Sequence, residues 1–176
     1  MSEESRIDIR DTKRILLGLG NAKVAYDGTI EQVRDYYSTV KGATRDKNGF
    51  FAGKKDTDVF IYAMCLGKKL GETMPFEKDP ITGKTDRRAT IDIKYFADQP
   101  EYVWMMIATA LEDTKDPETG NPTMEIFENP KKIIEICEQY ANAGIHELLR
   151  MADDVSGADP FKGFDRKLAG LLENES

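Results

Sequence analysis

The chain has few of the side chains that most often carry catalysis and metal binding. Its 176 residues include one histidine, His146, and two cysteines, Cys65 and Cys137. A zinc site of the His-Glu-x-x-His type needs a second histidine one helical turn after the first, and Arg150 stands there. The sequence therefore excludes that site and any triad that needs a different histidine. His146 falls on the polar side of its predicted helix, which indicates a surface residue.

The two cysteines lie far apart in the chain, each inside an apolar segment. Their spacing matches neither a disulfide framework nor a metal-binding pair. Buried cysteine usually behaves as a small hydrophobic residue. We therefore expect Cys65 and Cys137 to be buried free thiols in a reducing compartment.

Long apolar runs are also missing from the chain. No stretch approaches the roughly 20 apolar residues that a membrane helix needs, and the start, MSEESRIDIRD, lacks the apolar core of a signal peptide. At 40% hydrophobic and 32% charged residues, the composition is typical of a globular protein. We expect a cytoplasmic protein without membrane contact, with a mobile N-terminus over 1–12 and a single helical domain over 13–176.

Glycine-rich phosphate-binding motifs are incomplete. Gly83-Lys84-Thr85 resembles the end of a P-loop, but that motif needs a glycine five positions earlier, where Lys78 stands. Gly18-Leu19-Gly20 lacks the third glycine of the dinucleotide fingerprint. Neither segment predicts a nucleotide site.

Acidic side chains are plentiful, yet nothing in their spacing selects a reactive pair. Asp153-Asp154 and Glu112-Asp113 each lie near a predicted helix end, where neighbouring acids are common on an acidic surface. The sequence therefore predicts no catalytic residues, no metal site and no cofactor, so we expect a protein that is not an enzyme. The alternative to this expectation is an enzyme that uses carboxylates and a metal ion.

The net charge of −7 is unevenly distributed. Residues 1–88 carry 17 basic and 14 acidic side chains, a net charge of +3, whereas residues 89–176 carry 8 and 18, a net charge of −10. Such acidity argues against general coating of nucleic acid or anionic membranes. Any anion-binding surface therefore belongs to the first half, and the second half is either a solvated face or a docking surface for a basic partner.

Apolar periodicity predicts a mainly α, compact helical domain of about five to six helices. Proline at the first helical position predicts the starts of three of them, at Pro100, Pro130 and Pro160. The helix near 56–71 is apolar on almost all sides, which places it at the centre of the core. The predicted helices cover about 13–19, 29–42, 56–71, 100–112, 130–152 and 160–171. The helix over 130–152 is expected to bury Ile133, Cys137, Tyr140, Gly144, Leu148 and Met151.

The segment RATIDIKYF alternates between apolar and polar residues. This pattern places Ile91, Ile93 and Tyr95 on one side and favours a strand, with a helix as the alternative. Its expected partner is the run 23–26, which would give a small β-hairpin-like sheet. Two KDPxTG segments, at 78–83 and 115–120, are more typical of two similar turns than of a duplication.

The segment over 41–55 is the best candidate for a nucleic-acid contact. Basic side chains neutralise phosphates and exposed aromatic rings stack on bases. The commoner arrangement for such a segment buries its aromatic rings in the core and leaves its lysines solvated. Lys84, Arg87 and Arg88 extend the surface only if the fold brings them near. The candidate contact residues are Lys41, Arg45, Lys47, Phe50, Phe51, Lys54 and Lys55.

Two segments resemble a known family. The helix that contains Asp58-Val59-Phe60 and ends in Leu66-Gly67, together with the later Tyr140-Ala141-Asn142-Ala143-Gly144-Ile145, is similar to small proteins associated with DNA phosphorothioation (Dnd) systems. These are bacterial and archaeal defence loci that exchange a backbone oxygen for sulfur. The resemblance covers roughly residues 45–150.

The resemblance implies an accessory role beside DNA-modifying or DNA-cleaving enzymes and carries no catalytic residues over to this chain. The expected function is therefore that of a non-enzymatic accessory protein of a prokaryotic DNA-modification or restriction system, with DNA as a candidate contact. Its expected partners are the modification or restriction subunits, and a homodimer is a further option. The alternative is a general adaptor or regulator that makes no nucleic-acid contact and docks a basic partner on its acidic half.

Overall fold

The computed structural model describes residues 22–27, 54–77, 80–83, 89–123 and 125–153. Within these ranges five helices and a two-stranded antiparallel sheet form, so the predicted mainly α fold is confirmed. The predicted helices over 13–19, 29–42 and 160–171, and the N-terminal segment 1–12, lie outside the described residues. The elements are β1 (Lys23–Tyr26), α1 (Asp56–Leu70), β2 (Ala89–Asp92), α2 (Lys94–Ala97), α3 (Pro100–Asp113), α4 (Glu125–Glu128) and α5 (Lys131–Asp153).

Helix α1 has well-defined signals at both ends. Lys55 occupies the N-cap in an extended conformation, and its backbone N–H donates to the Asp58 carboxylate at 2.8 Å. The helix ends at Gly71, whose φ of 68° lies in the left-handed region that favours glycine.

Helices α1 and α5 approach each other closely through two glycines. A Cβ atom added to Gly67 would lie 2.1 Å from the Tyr140 carbonyl oxygen, and one added to Gly144 would lie 1.9 Å from the Ala63 carbonyl oxygen. Both distances are far below van der Waals contact, so only hydrogen fits at either position. The small residues around Gly144 therefore serve close helix packing, and α5 continues through them without a break.

The core forms where α1, α3 and α5 bring their apolar faces together. The six positions expected to be buried on α5 are all buried. Phe60 of α1 and Phe96 of α2 are fully buried and meet edge to face with their ring centroids 5.4 Å apart. Helix α3 begins at Pro100 as predicted, whereas α5 begins at Lys131, one residue after Pro130.

The small sheet pairs the two strands that alternation predicted. β1 and β2 run antiparallel, with Val24 opposite Ile91 and Ala25 opposite Thr90. The predicted strand was too long, because the chain turns at Ile93 into the short helix α2. Tyr95 consequently does not share the buried side with Ile91 and Ile93, and its side chain is 53% exposed.

One cysteine prediction holds and the other is wrong. Cys137 of α5 is buried, but Cys65 of α1 is exposed. Cys65 lies on the face of α1 that also carries the exposed Lys69, opposite the face that meets α5. The prediction was wrong because cysteine counts as apolar, so the apolar run around Cys65 did not indicate that this face of α1 is exposed.

The two KDPxTG segments share a turn feature at their final residue. Gly83 and Gly120 have φ values of 66° and 68°. In the second segment, Asp116 accepts the backbone N–H groups of Glu118 and Thr119, each at 2.8 Å. This is the side-chain-to-backbone bonding that makes aspartate a turn residue, and it supports two similar turns.

Candidate binding groove

Lys54 and Lys55 are the candidate contact residues that fall in the described ranges. Both are exposed and immediately precede α1, so their charges lie at the positive end of the helix dipole. The other candidates lie outside the described residues: Lys41, Arg45, Lys47, Phe50 and Phe51.

Lys55 lies on the rim of an open groove of about 820 Å³. Three segments that are distant in sequence form its walls: the first turn of α1, the strand β2, and the chain from Tyr95 to Gln99 that leads into α3. The lining includes four carboxylates and two ammonium groups, which makes the groove net acidic. These charged residues are Asp56, Asp58, Asp92, Asp98, Lys23 and Lys55.

A tyrosine–aspartate pair involves Asp58, one of the carboxylates that line the groove. Tyr102 donates its hydroxyl hydrogen to Asp58 Oδ1 at 2.7 Å, while Asp58 Oδ2 accepts the Lys55 N–H. Desolvation, together with the hydrogen bond to Asp58, raises the pKa of the Tyr102 hydroxyl to about 12. The pair fixes the first turn of α3 against the first turn of α1 and thereby sets the shape of the groove.

A second tyrosine–aspartate pair lies at the opposite end of α1. Tyr140 of α5 donates to Asp113 at the end of α3, and Lys68 Nζ lies 3.3 Å from the Tyr140 oxygen and 4.8 Å from its ring centre. Lys68 also lies 3.8 Å from Asp113. Desolvation and the bond to Asp113 raise the pKa of Tyr140 to about 12. The three side chains join the C-terminal ends of α1 and α3 to α5.

A polar stripe on α5 holds β1 in place. Glu138, 2% exposed, accepts the Ala25 N–H at 2.5 Å, and the buried Asn142 accepts the Asp27 N–H at 3.2 Å. One turn further on, His146 Nε2 lies 3.1 Å from Asp27 Oδ2. The histidine side chain is 42% exposed, in keeping with its predicted place on the polar side of the helix. The contact between His146 and Asp27 is therefore structural and connects α5 to the end of β1.

Sequence reasoning missed Glu138 as a structural residue. Together with Asn142 and His146 it repeats at every fourth position of the helix, and an apolar residue precedes each of the three. That repetition is the signal that could have found the stripe. Buried polar groups in such a stripe need hydrogen-bond partners, which here come from a strand more than a hundred residues away.

The carboxylate pairs considered as reactive groups have structural contacts where the structure describes them. Glu112 forms an ion pair with Lys115 at 2.7 Å, which lowers the pKa of Glu112, and Asp113 accepts from Tyr140. The partner of Asp153 in its pair, Asp154, lies outside the described residues. Across the described ranges, histidine, cysteine and acidic side chains do not gather into a group of three or more that could hold a metal ion.

The thiol of Cys137 lies deep in the core. Its Sγ is 3.5 Å from the Met106 carbonyl oxygen. Desolvation raises its pKa far above the ordinary range, with a further contribution from the charge of Glu138. At neutral pH Cys137 is therefore a protonated, unreactive core residue.

The described helices and the groove define a small helical protein with an open polar surface between α1, β2 and α3. The chain belongs to the family described as DNA sulphur modification system-associated protein 4, whose model matches residues 30–158. This confirms the resemblance noted over roughly 45–150. No curated protein matches the chain, and no solved structure matches it. None of the described helices is long and apolar enough to cross a membrane.

Proposed function

We propose that the protein is a non-enzymatic accessory component of a DNA sulphur modification system. It acts by contact with another protein of that system and touches DNA through the segment over 41–55. The observation that carries the proposal is the family match over residues 30–158, because the family name associates its members with such a system.

The non-enzymatic part of the proposal draws support from the contacts of the polar side chains. Tyr102, Tyr140 and Glu138 each bond an element distant in sequence, and each bond joins helices or fixes a strand. His146 lies against Asp27 in the same way. Groups that could serve acid–base chemistry are thus employed in holding the fold together.

The DNA contact draws support from the position of Lys54 and Lys55. Both are exposed beside the N-terminus of α1, where backbone N–H groups and the helix dipole favour an anion such as phosphate. Asp56 and Asp58 in the first turn oppose that field. The two lysines therefore provide a sequence-independent backbone contact of modest strength.

A salt series of DNA-binding measurements tests the DNA contact. Wild type and the double variant Lys54→Ala, Lys55→Ala are titrated with a labelled duplex, and log K is plotted against log salt. Each phosphate contact contributes a slope of roughly −0.9. We expect the double variant to bind more weakly, with a slope shallower by about 1 to 2.

A matched control comes from a second lysine pair at a helix start. Lys131 and Lys132 begin α5, and the variant Lys131→Ala, Lys132→Ala removes the same charge from a surface outside the proposed contact. Among the described residues, Lys132 pairs with the exposed Glu125 at 3.7 Å, and loss of such a surface ion pair costs little stability. Equal weakening by both variants, or no salt-sensitive binding by wild type, contradicts the DNA contact.

A second candidate function is that of an adaptor that docks a basic partner and makes no DNA contact. The observation that favours it is the set of exposed carboxylates on α3, α4, α5 and the loop that follows α3. Residues 89–176 carry a net charge of −10, and such a surface attracts basic proteins. The exposed carboxylates in this set are Glu101, Glu112, Asp113, Glu118, Glu125, Glu128 and Glu135.

Affinity purification from the native cell separates the two candidates. Recovery of DNA-modification subunits in a nuclease-treated extract supports the accessory role by direct protein contact. Recovery of those subunits only when DNA is intact places DNA between the partners. Recovery of unrelated basic proteins in their place supports the general adaptor.

A further inference from the structure

Within the described residues, the hydrogen-bonding pattern of the small sheet leaves one edge of β2 without a partner strand. Ile93 N donates to the Ala22 carbonyl oxygen at 3.1 Å, which makes Ala22 and Ile93 a hydrogen-bonded pair. Bonded and non-bonded pairs alternate along antiparallel strands, so the next bonded pair is Val24 and Ile91. The backbone N–H groups of Thr90 and Asp92 therefore point away from β1.

The two edges of this sheet have different surroundings. On the outer edge of β1, Glu138 and Asn142 accept the N–H groups of Ala25 and Asp27, so helix α5 covers that edge. Within the described residues, β1 pairs with one edge of β2, and no strand pairs with the other edge of β2. Thr90 is exposed. Exposed strand edges of this kind are templates for pairing with another chain.

The open edge of β2 forms one wall of the groove. Thr90, Ile91 and Asp92 all line it, facing the first turn of α1 and the segment that leads into α3. A volume of about 820 Å³ accommodates a few residues of extended chain beside the strand. The groove thus combines outward-facing strand-edge donors with space for the chain that would bind them.

We infer that the groove binds a short, extended, basic segment of a partner protein, which adds to β2 as a third strand. Backbone hydrogen bonds to Thr90 and Asp92 give the affinity in this mode of recognition, and side-chain complementarity gives the specificity. Asp92 is already paired with Lys23 and Lys94, at 3.7 Å and 3.4 Å, and the rest of the lining, with three carboxylates against one ammonium group, favours lysine or arginine side chains. This inference deepens the proposed role in protein contact and rests on it for the source of the peptide.

The binding test uses the full chain and synthetic peptides, so its outcome is independent of the DNA measurements and of the native partner. The probe is a labelled peptide of alternating lysine and threonine, measured by fluorescence anisotropy. Its counterpart of alternating glutamate and threonine has the same backbone. We expect saturable binding of the lysine peptide that weakens as salt is added, and no binding of the glutamate peptide.

N-methylated peptides separate strand addition from simple charge attraction. One lysine peptide is methylated at the amides of its lysines and another at those of its threonines. An added strand turns only alternate amides toward β2, so one of the two is expected to lose binding and the other to retain it. Equal binding of both methylated peptides overturns the inference.

The variant Thr90→Pro removes one of the two outward N–H groups of β2. That N–H takes no part in the pairing with β1, so proline is tolerated there as it is on natural edge strands. Affinity for the lysine peptide is expected to fall about three- to tenfold, the effect of one backbone hydrogen bond. The matched variant Thr90→Val keeps the donor and is expected to bind as wild type does.

Two results would assign the edge differently. If wild type is a dimer that Thr90→Pro converts to a monomer, and no peptide binds, the occupant is a second copy of this chain and the inference is wrong. If Thr90→Val weakens peptide binding as much as Thr90→Pro does, the threonine side chain and not the strand edge makes the contact. The methylated peptides decide the question on unmodified protein if Thr90→Pro fails to fold.

Discussion

The hydroxyl of Tyr102 donates to Asp58 Oδ1 at 2.7 Å and thereby ties the first turn of α3 to the first turn of α1. Because Asp58 also accepts the Lys55 N–H, one carboxylate organises both the start of a helix and the side of the groove. The first prediction concerns this bond.

Tyr102→Phe removes the hydroxyl and leaves the ring in place. A hydrogen bond to a charged group is lost, so the free energy of unfolding should fall by about 1 to 2 kcal/mol, measured by urea denaturation. Tyr95→Phe is the control, because Tyr95 is 53% exposed. Equal stability of the two variants would show that the Asp58 bond contributes nothing measurable.

The two tyrosine–aspartate pairs predict a loss of stability at alkaline pH. The pKa values of Tyr102 and Tyr140 are raised from the ordinary tyrosine value of 10.0 to about 12, so the folded state holds both protons more tightly than the unfolded chain does. This stabilisation is complete below about pH 10 and is lost as the pH rises through about 12. Thermal unfolding across this range should show the decline, and tyrosinate absorbance should show late titration to which Tyr102 and Tyr140 contribute.

The double variant Tyr102→Phe, Tyr140→Phe provides the control for that pH dependence. It should be less stable at neutral pH and should lose less stability between pH 10 and 12. An unchanged alkaline decline in the double variant would assign the effect to other groups.

The glycine contact between α1 and α5 predicts a severe effect of one added methyl group. Gly144→Ala places a Cβ against the Ala63 carbonyl, so the helices must separate, and the free energy of unfolding should fall by about 3 kcal/mol or more. Gly71→Ala is the comparison, because a Cβ there meets no atom within 4 Å. Its cost of about 1 kcal/mol comes only from the left-handed backbone. Similar losses for both would contradict the close contact.

The buried amide of Asn142 predicts a local effect on β1. Asn142 accepts the Asp27 N–H and donates to the Met74 carbonyl oxygen at 3.4 Å. Asn142→Ala leaves both backbone groups without these bonds and should cost about 1 to 3 kcal/mol. Native-state hydrogen exchange should show faster exchange of the Asp27 amide. The exposed Asn121→Ala should leave that exchange rate unchanged.

An unpaired hydroxyl beside the groove predicts a stabilising substitution. Thr57 is 3% exposed, and its Oγ1 finds no hydrogen-bond partner among the described residues. Thr57→Val keeps the shape and removes the buried polar atom, so thermal unfolding should show a gain of about 1 kcal/mol. Thr57→Ser, which keeps the hydroxyl and loses the methyl group, should be less stable than wild type. A destabilised valine variant would indicate a partner for the hydroxyl.

The sequence predicted the long helices because their apolar periodicity is regular over several turns. The buried face of α5 followed directly from the spacing of Ile133, Cys137 and Tyr140. The start of α3 followed from Pro100, whose fixed φ suits the first helical position. Such features depend on neighbours in the chain, and a single sequence contains that information.

The end of β2 was not predictable in the same way. A strand through Tyr95 and a turn at Ile93 both bury Ile91 and Ile93, so the apolar pattern does not choose between them. The strand ends because the Ile93 carbonyl oxygen accepts the N–H groups of Phe96 and Ala97, each at 3.0 Å, which begins α2. This turn brings Phe96 against Phe60 of α1, and such a contact between distant segments is not visible in the local pattern.

The groove could not be predicted from the sequence, for a related reason. Asp56, Asp92 and Asp98 come from three separate segments, and nothing in their spacing indicates that they share one surface. Among the contact candidates, the sequence pointed to Lys55, which lies on the groove rim. DNA contact by the segment over 41–55 stays a prediction, as does the division of the chain into 1–12 and 13–176.

The hydrogen bonds between α5 and the edge of β1 determine which recombinant fragments of this protein can fold. The family match begins at residue 30, after β1 has ended at Tyr26. A recombinant fragment trimmed to residues 30–158 would deprive Glu138 of the Ala25 N–H and would strip β2 of its partner strand. The fragment would expose both edges of β2 and would leave the Glu138 carboxylate in the interior without the Ala25 N–H. Both changes favour aggregation. The segment that defines the family is therefore shorter than the unit that must be expressed.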